Sequence, residues 1–377
     1  SLGEYHSEDG SETFKKLQRP SSMSSDRVCI RYGDEGGLDK DGVIEIRRGV
    51  ADLNLGKSHY AQVRIMVDDS HYLKGMAVYS DDIPEGYDVV FNTNKKSGTP
   101  KMKVLKPIKD DPDNPFGAAI KANGQSTYIG EDGKEHLSPI NKLKEEGDWD
   151  TMAKNLSSQF LSKQPIKLMK QQLDLTIADR KAEYDEIMQY DNPTIRKKLL
   201  IDFADTCEGN SMTLKASSFP GQATKVILPL SKIGERECYC PTYPDGTQLA
   251  LVRFPHAGTF EIPIVTVNNK NLSGRRNLGS VQDAIGINAK VAERLSGADF
   301  DGDTVVAIPM SSKVNIKSTP ALKDLKDFDP KTAYAVPEGN PNGVRLMKKE
   351  EKQKEMGIIS NLITDMTLCG APEGDIA

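Results

Sequence analysis

The sequence predicts an α+β chain, with two β-rich regions separated by a helical stretch and followed by a closing helix. Three observations carry this. Between residues 27 and 135, the runs "VCIRYG", "GVIEIRR", "AQVRIMVDD", "GMAVYS" and "YDVVFNT" are rich in β-branched and aromatic residues and punctuated by Gly, Asp and Pro, the pattern of short strands joined by turns. Between 211 and 312 the pattern returns in "TKVILPL", "ECYCPTY", "TQLALVRFP", "FEIPIVTV" and "DTVVAIP". From Asn141 to Phe203, apolar residues recur at three-to-four spacing with charged faces, interrupted near Gln164 and Pro165, which is helical spacing.

Taken in order, residues 1–26 are polar and Ser-rich and read as a mobile arm. They lack the apolar core of a secretion signal and begin on Ser1 rather than Met, as expected of a piece excised from a longer chain. Residues 27–135 form the first β region, with "KDDPDNPFG" as a loop, and 136–210 the helical insert. Lys167, Lys170, Arg196, Lys197 and Lys198 lie on that insert as a face for phosphates or for solvent. Residues 211–312 form the second β region, and 313–377 a Pro-rich loop and an amphipathic helix stopped at Gly370. A chain of 377 residues exceeds the usual single-core size. No short repeat is present, but two β units of about a hundred residues each invite comparison.

Composition narrows the function. A net charge of −5 excludes a generic polyanion binder, so any nucleic-acid contact must come from local basic patches. No run of 18 apolar residues is present, so no membrane span is expected. Five cysteines, an odd number without a signal, argue for a reducing compartment. Cys238 and Cys240 form a C-x-C with no second pair or nearby histidine, so they read as ordinary thiols rather than zinc ligands.

The chemistry concentrates in "LSGADFDGDTVVAIP", residues 295–309, where Asp299, Asp301 and Asp303 alternate around Gly302 just before an apolar strand. On an extended strand the outer two Cα atoms would lie roughly 13 Å apart, too far for one ion. A bend at Gly302 can swing the carboxylates together. Like charges about 4 Å apart then repel by a few kcal/mol at an effective dielectric near 20, a cost that a divalent cation removes. Three aspartate oxygens favour a hard ion such as Mg²⁺, with Mn²⁺ as substitute, which keeps positions for water and phosphate. A calcium EF-hand loop starting at Asp299 would need Gly at Thr304 and Glu at Met310, so it does not fit.

At these residues the sequence resembles a known family. "GADFDGDTVVAIP" is similar to the metal-binding signature of the large catalytic subunit of multisubunit RNA polymerases, with Gly297 where the family has asparagine. "LVRFPHAGTFEIPIV" (251–265) resembles the arginine-x-proline strand preceding that signature in a double-psi β-barrel. "YLKGMAVYSDDIPEGYDVVFNTNKK" (72–96) resembles the lysine-bearing barrel of single-chain polymerases related to RNA-silencing polymerases, and "DKDGVIEI" (39–46) is similar to a D-G strand there. The closing "KQKEMGIISNLITDM" looks like the helix after the barrel in phage and prophage members.

The resemblance implies two double-psi β-barrels with a helical insert between them and a C-terminal helix. It implies Mg²⁺-dependent transfer from ribonucleoside triphosphates to an RNA 3′ end on a nucleic-acid template, in the cytoplasm of a phage-infected or prophage-bearing bacterium. Asp299, Asp301 and Asp303 would hold the metal, and Lys74 with Lys96, or Lys95 in its place, would face phosphates across the cleft. Arg253 would read the nucleotide sugar while Val252 and Phe254 pack the barrel, with a barrel-surface ion pair as its other reading. Pro255 matches the family proline, and His256 reads as a structural or a catalytic histidine. A bridge-like helix and a substrate-closing element would follow beyond Ala377. The rival readings are a DNA-synthesising polymerase or primase on the same barrels, and a non-enzymatic phage structural or regulatory protein retaining the motif.

Overall fold

The computed structural model describes residues 2–7, 12–17, 20–111, 114–118, 124–149, 155–210, 213–215, 219–254, 256–295, 297–325, 328, 333–335, 339, 343, 345 and 347–377. Much of the expected mobile arm is an antiparallel hairpin of β1 (Leu2–Ser7) and β2 (Glu12–Leu17).

The first β region forms β3 (Val28–Arg31), β4 (Val43–Arg47), β5 (Tyr60–Val67), β6 (His71–Ser80) and β7 (Val89–Asn92), close to the runs read from sequence. After them come α1 (Lys101–Val104), β8 (Lys106–Pro107), β9 (Gln125–Ile129) and β10 (Glu135–Glu145). The sheet runs β3-β7-β4-β6-β5-β10-β9, with β8 paired to β6. Among the described residues this is an open path, not a closed ring. β10 also corrects the expectation of helix from Asn141. Ile140 pairs with Ile65 and is fully buried, and Asn141 and Lys142 pair with Arg64 and Val63. Pairing along β5 therefore overrides the helical spacing of a short charged segment.

The insert contains β11 (Asn155–Ser157), α2 (Ile166–Met188), α3 (Pro193–Asn210) and β12 (Thr213–Lys215), with Tyr184 of α2 against Phe203 of α3 at 6.0 Å between ring centres. The second β region closes into a six-stranded barrel. Its elements are β13 (Ala223–Pro229), β14 (Glu237–Tyr239), β15 (Gln248–Val252), β16 (Ile264–Val267), α4 (Leu272–Leu278), β17 (Ala284–Ile287), α5 (Ala289–Glu293) and β18 (Thr304–Pro309). The ring order is β13-β17-β14-β16-β15-β18. β17, "AIGI", was not among the strands read from sequence. The chain finishes with α6 (Lys349–Cys369), ended at Gly370 as expected, and α7 (Glu373–Ile376).

The two β units share a topology. Numbering strands within each unit, the first sheet contains the order 1-5-2-4-3 and the barrel the order 1-5-2-4-3-6. The directions agree pair by pair: β3 and β7, like β13 and β17, run parallel, and β4 and β7, like β14 and β17, antiparallel. β4 and β6, like β14 and β16, run parallel, and β5 and β6, like β15 and β16, antiparallel.

The units pack on one another through Tyr60, Met76 and Trp149 of the first and Val226, Leu228, Leu230 and Ile233 of the second. Asp283 is buried at this junction, where it accepts from the Tyr60 hydroxyl and from the backbone N–H of Gly147 (2.7 Å) and Trp149 (3.2 Å). A buried carboxylate needs such donors, so these bonds fix the relative placement of the units. No helix of the described residues is long and apolar enough to cross a membrane.

Candidate metal centre and cleft

The aspartate loop lies between α5 and β18. Phe300 is 3 % exposed and packs in the barrel core with Leu295 and Val305, which turns its neighbours Asp299 and Asp301 outward. The Asp303 carbonyl accepts from Ile227 N (3.0 Å), tying the end of the loop to β13. Within the loop Asp301 N donates to Asp299 Oδ1 (3.2 Å) and Asp299 N donates to Asp303 Oδ2 (3.1 Å). One carboxylate oxygen from each of Asp299, Asp301 and Asp303 lies within 4.8 Å of the others. The three carboxylates that alternate in sequence thus converge in the fold.

The first β unit supplies the facing wall. Lys74 Nζ on β6 lies 3.5 Å from Asp301 Oδ2. Two glycines allow this approach. A Cβ on Gly75 would come within 2.1 Å of the Gly42 carbonyl, and one on Gly42 within 2.8 Å of the Asp301 Cβ. The strand after Lys74, the turn at Gly42 and the aspartate loop therefore stack nearly backbone to backbone. The resulting cleft, about 200 Å³, is lined by Asp41, Lys74, Lys95, Lys106, Asp299 and Asp301, with Tyr72, Phe91, Val104 and Leu105 as apolar surface.

The lysine alternatives separate here. The chain bends at Asn94 and Lys95, which turns Lys95 to the cleft with its Nζ on the Lys103 carbonyl. Lys96 does not line this cleft; it is exposed, and its charge acts on Asp34. Arg253 follows β15 and places Nη2 2.9 Å from Asp303 Oδ2, so it joins the aspartates in an ion pair. Val252 is buried as expected, but Phe254 is 53 % exposed and does not pack the barrel. Pro255 lies outside the described residues. His256 is buried near Phe160 (6.1 Å between ring centres), and neither ring nitrogen has a hydrogen-bond partner among the described residues. Burial lowers its pKa to about 4, so it is neutral at pH 7 and too enclosed to meet a substrate. Cys238 and Cys240 are buried thiols, and burial pushes Cys240 up to about 11.

Three residues here had no signal in the sequence. Lys106, on β8, lines the cleft because β8 pairs beside Tyr72. Arg64 is the cross-strand partner of Lys74 and is 7 % exposed. Burial lowers its pKa, opposed by the charges of Tyr72 and Asp301. Gln62, on β5, donates from Nε2 to the Asp301 carbonyl (2.9 Å).

The electrostatics favour a cation. Burial, a carboxyl–carboxyl hydrogen bond with the Asp301 side chain and the charges of Asp301 and Asp303 push the Asp299 carboxyl up to about 7, against the opposing bond from the Asp301 backbone N–H. Two full charges within 4.8 Å of one another repel by about 3.5 kcal/mol or more at an effective dielectric of 20. All-carboxylate donors suit a hard divalent ion, and Mg²⁺ at about 2.1 Å from each ligand puts opposite donors about 4.2 Å apart. The three donor oxygens all lie within 4.8 Å of one another, so the three residues fit such an ion with small side-chain movement.

No protein-family model matches the chain, and no curated protein matches it. Among solved structures it is similar to an RNA-dependent RNA polymerase, QDE-1, from Thielavia terrestris, with a TM-score of 0.43 and 14% identity. The likeness covers 82% of this chain, which spans 38% of the length of that structure.

Proposed function

We propose that this chain is the catalytic core of a single-chain RNA polymerase. It would transfer nucleotides from ribonucleoside triphosphates to an RNA 3′ end on a nucleic-acid template. The observation that carries this is the meeting of Asp299, Asp301 and Asp303 with Lys74, residues of different β units that lie more than two hundred positions apart in sequence. A structural acidic turn needs no such wall. The repeated strand order of the two units supports reading both as double-psi barrels, with the first left open at its sixth position. We divide the chain accordingly, at 27–149, 150–210, 211–312 and 313–377, the first boundary lying past β10 because that strand pairs with β5. The resemblance of α6 to the closing helix of phage and prophage members supports a setting in the cytoplasm of a bacterial host.

Asp299, Asp301 and Asp303 would hold Mg²⁺, which when bound favours the alkoxide of a 3′-hydroxyl and neutralises phosphate charge. Lys74 would release Asp301 to the ion and turn to the phosphates, a transfer suited to a flexible point charge. Lys95 and Lys106 would hold the triphosphate tail from the same wall. Asp299 gives up its proton when the ion binds, because a ligand carboxylate must be ionised. Arg253 would remain anchored on Asp303 while its other donors face the sugar, so that a missing 2′-hydroxyl leaves a desolvated donor unpaired.

The test is extension of a labelled RNA primer on DNA and on RNA templates with all four ribonucleotides or deoxynucleotides. Ribonucleotide extension that Asp301→Asn abolishes supports the reading. Deoxynucleotide preference would assign a DNA polymerase or primase, and no extension with either would favour a non-enzymatic role.

A further inference from the structure

The loop that carries the aspartates belongs to the second β unit, yet part of its shape is held from the first. Gln62 is half-buried on β5, opposite Met76 of β6. Its Nε2 donates to the carbonyl of Asp301 at 2.9 Å, across 239 residues of sequence. The same amide lies against the bend, since a Cβ on Gly302 would come within 2.8 Å of Gln62 Nε2. Gly302 has φ +129, a conformation that side chains rarely adopt. The N–H of Asp301 is also tied, to Asp299 Oδ1.

We propose that Gln62 is a positioning residue for the divalent ion. By holding the Asp301 carbonyl it fixes the Asp301–Gly302 peptide, and with it the convergence of the three carboxylates, so that a strand of the first unit sets the metal affinity of the second. The reasoning rests on the metal-site reading above. Without the bond, a glycine hinge carries an aspartate repelled by two neighbours, and the side chains separate until an ion gathers them again. Removing a group that orients a ligand typically weakens metal binding by 10–100-fold. A single amide on the backbone carbonyl of one ligand residue, rather than on its carboxylate, belongs at the lower end.

The experiment measures Mn²⁺ binding by the electron paramagnetic resonance signal of free Mn²⁺, on wild type, Gln62→Met and Gln62→Glu, with thermal melting of the metal-free proteins alongside. Gln62→Met keeps the bulk and loses the donor, so it should bind Mn²⁺ about tenfold more weakly while melting as wild type does. Gln62→Glu is isosteric and adds a negative charge. Were the residue only filler, this variant would bind Mn²⁺ more tightly; positioning predicts weaker or unimproved binding, and it provides the readout if Gln62→Met does not fold. A Gln62→Met dissociation constant within twofold of wild type, or tighter binding by Gln62→Glu, overturns the inference and leaves the metal site standing. Absence of Mn²⁺ binding by wild type removes the site reading and this inference together.

Discussion

Replacing Asp301 with Asn should invert the response of the protein to metal. In the metal-free protein at pH 8, above the raised Asp299 pKa of about 7, Asp301 repels two neighbours. Each pair, with oxygens within 4.8 Å, costs about 3.5 kcal/mol or more at an effective dielectric of 20. Against this stands the contact with Lys74 at 3.5 Å, whose partners are 42% and 35% exposed, so water reduces it to about 0.2–1 kcal/mol. The aspartates are also partly exposed, and screening leaves a net gain of about 1–3 kcal/mol for Asp301→Asn. A gain of that size should raise the melting temperature by about 2–6 °C. Adding Mg²⁺ then reverses the order. An ion at a thousand times its dissociation constant stabilises wild type by about 4.1 kcal/mol, whereas the variant has lost a ligand and barely responds. The assay is thermal unfolding followed by circular dichroism, with chelator and with Mg²⁺. A variant that is less stable than wild type in chelator, or that gains as much from Mg²⁺, would refute the electrostatic reasoning.

Mn²⁺ affinity should fall with acid, because Asp299, held near 7 chiefly by burial, must lose its proton to bind. The expected slope is about tenfold per pH unit below 7 and flat above it, and a flat profile from pH 5 to 8 in a Mn²⁺ titration would show that Asp299 is not a ligand. In primer extension, Lys74→Ala, Lys95→Ala and Lys106→Ala should each raise the nucleotide KM or lower kcat by about tenfold or more, while Lys96→Ala stays within about twofold. Equal losses for Lys95→Ala and Lys96→Ala would contradict the placement of the cleft wall. Arg253→Ala should cost ribonucleotides more than deoxynucleotides by about 1–3 kcal/mol in kcat/KM, and equal losses would leave Arg253 as the anchor of Asp303 alone.

Much of the site was legible because its key residues are close in sequence. Asp299, Asp301 and Asp303 alternate around a glycine, and their spacing carries the chemistry. Lys74 and Arg253 became visible through family-like motifs, and the structure brings each into contact with an aspartate. The choice between Lys95 and Lys96 depended on a bend that no pattern announced. Lys106, Arg64 and Gln62 were illegible for a related reason: strand pairing and packing over long sequence separations bring them to the loop. In the fold, alternating β-branched runs gave most strands. β10 was misread because its charged residues mimic helical spacing until Ile140 meets Ile65, and β17 escaped because its four residues include Gly286 and lie between two short helices.

Crystals soaked with Mn²⁺ and a non-hydrolysable ribonucleoside triphosphate test the central claim most directly. An anomalous peak bounded by Asp299, Asp301 and Asp303, with the triphosphate against Lys74 and Lys95, is the predicted result. A peak elsewhere, or a triphosphate bound away from the lysine wall, would contradict it.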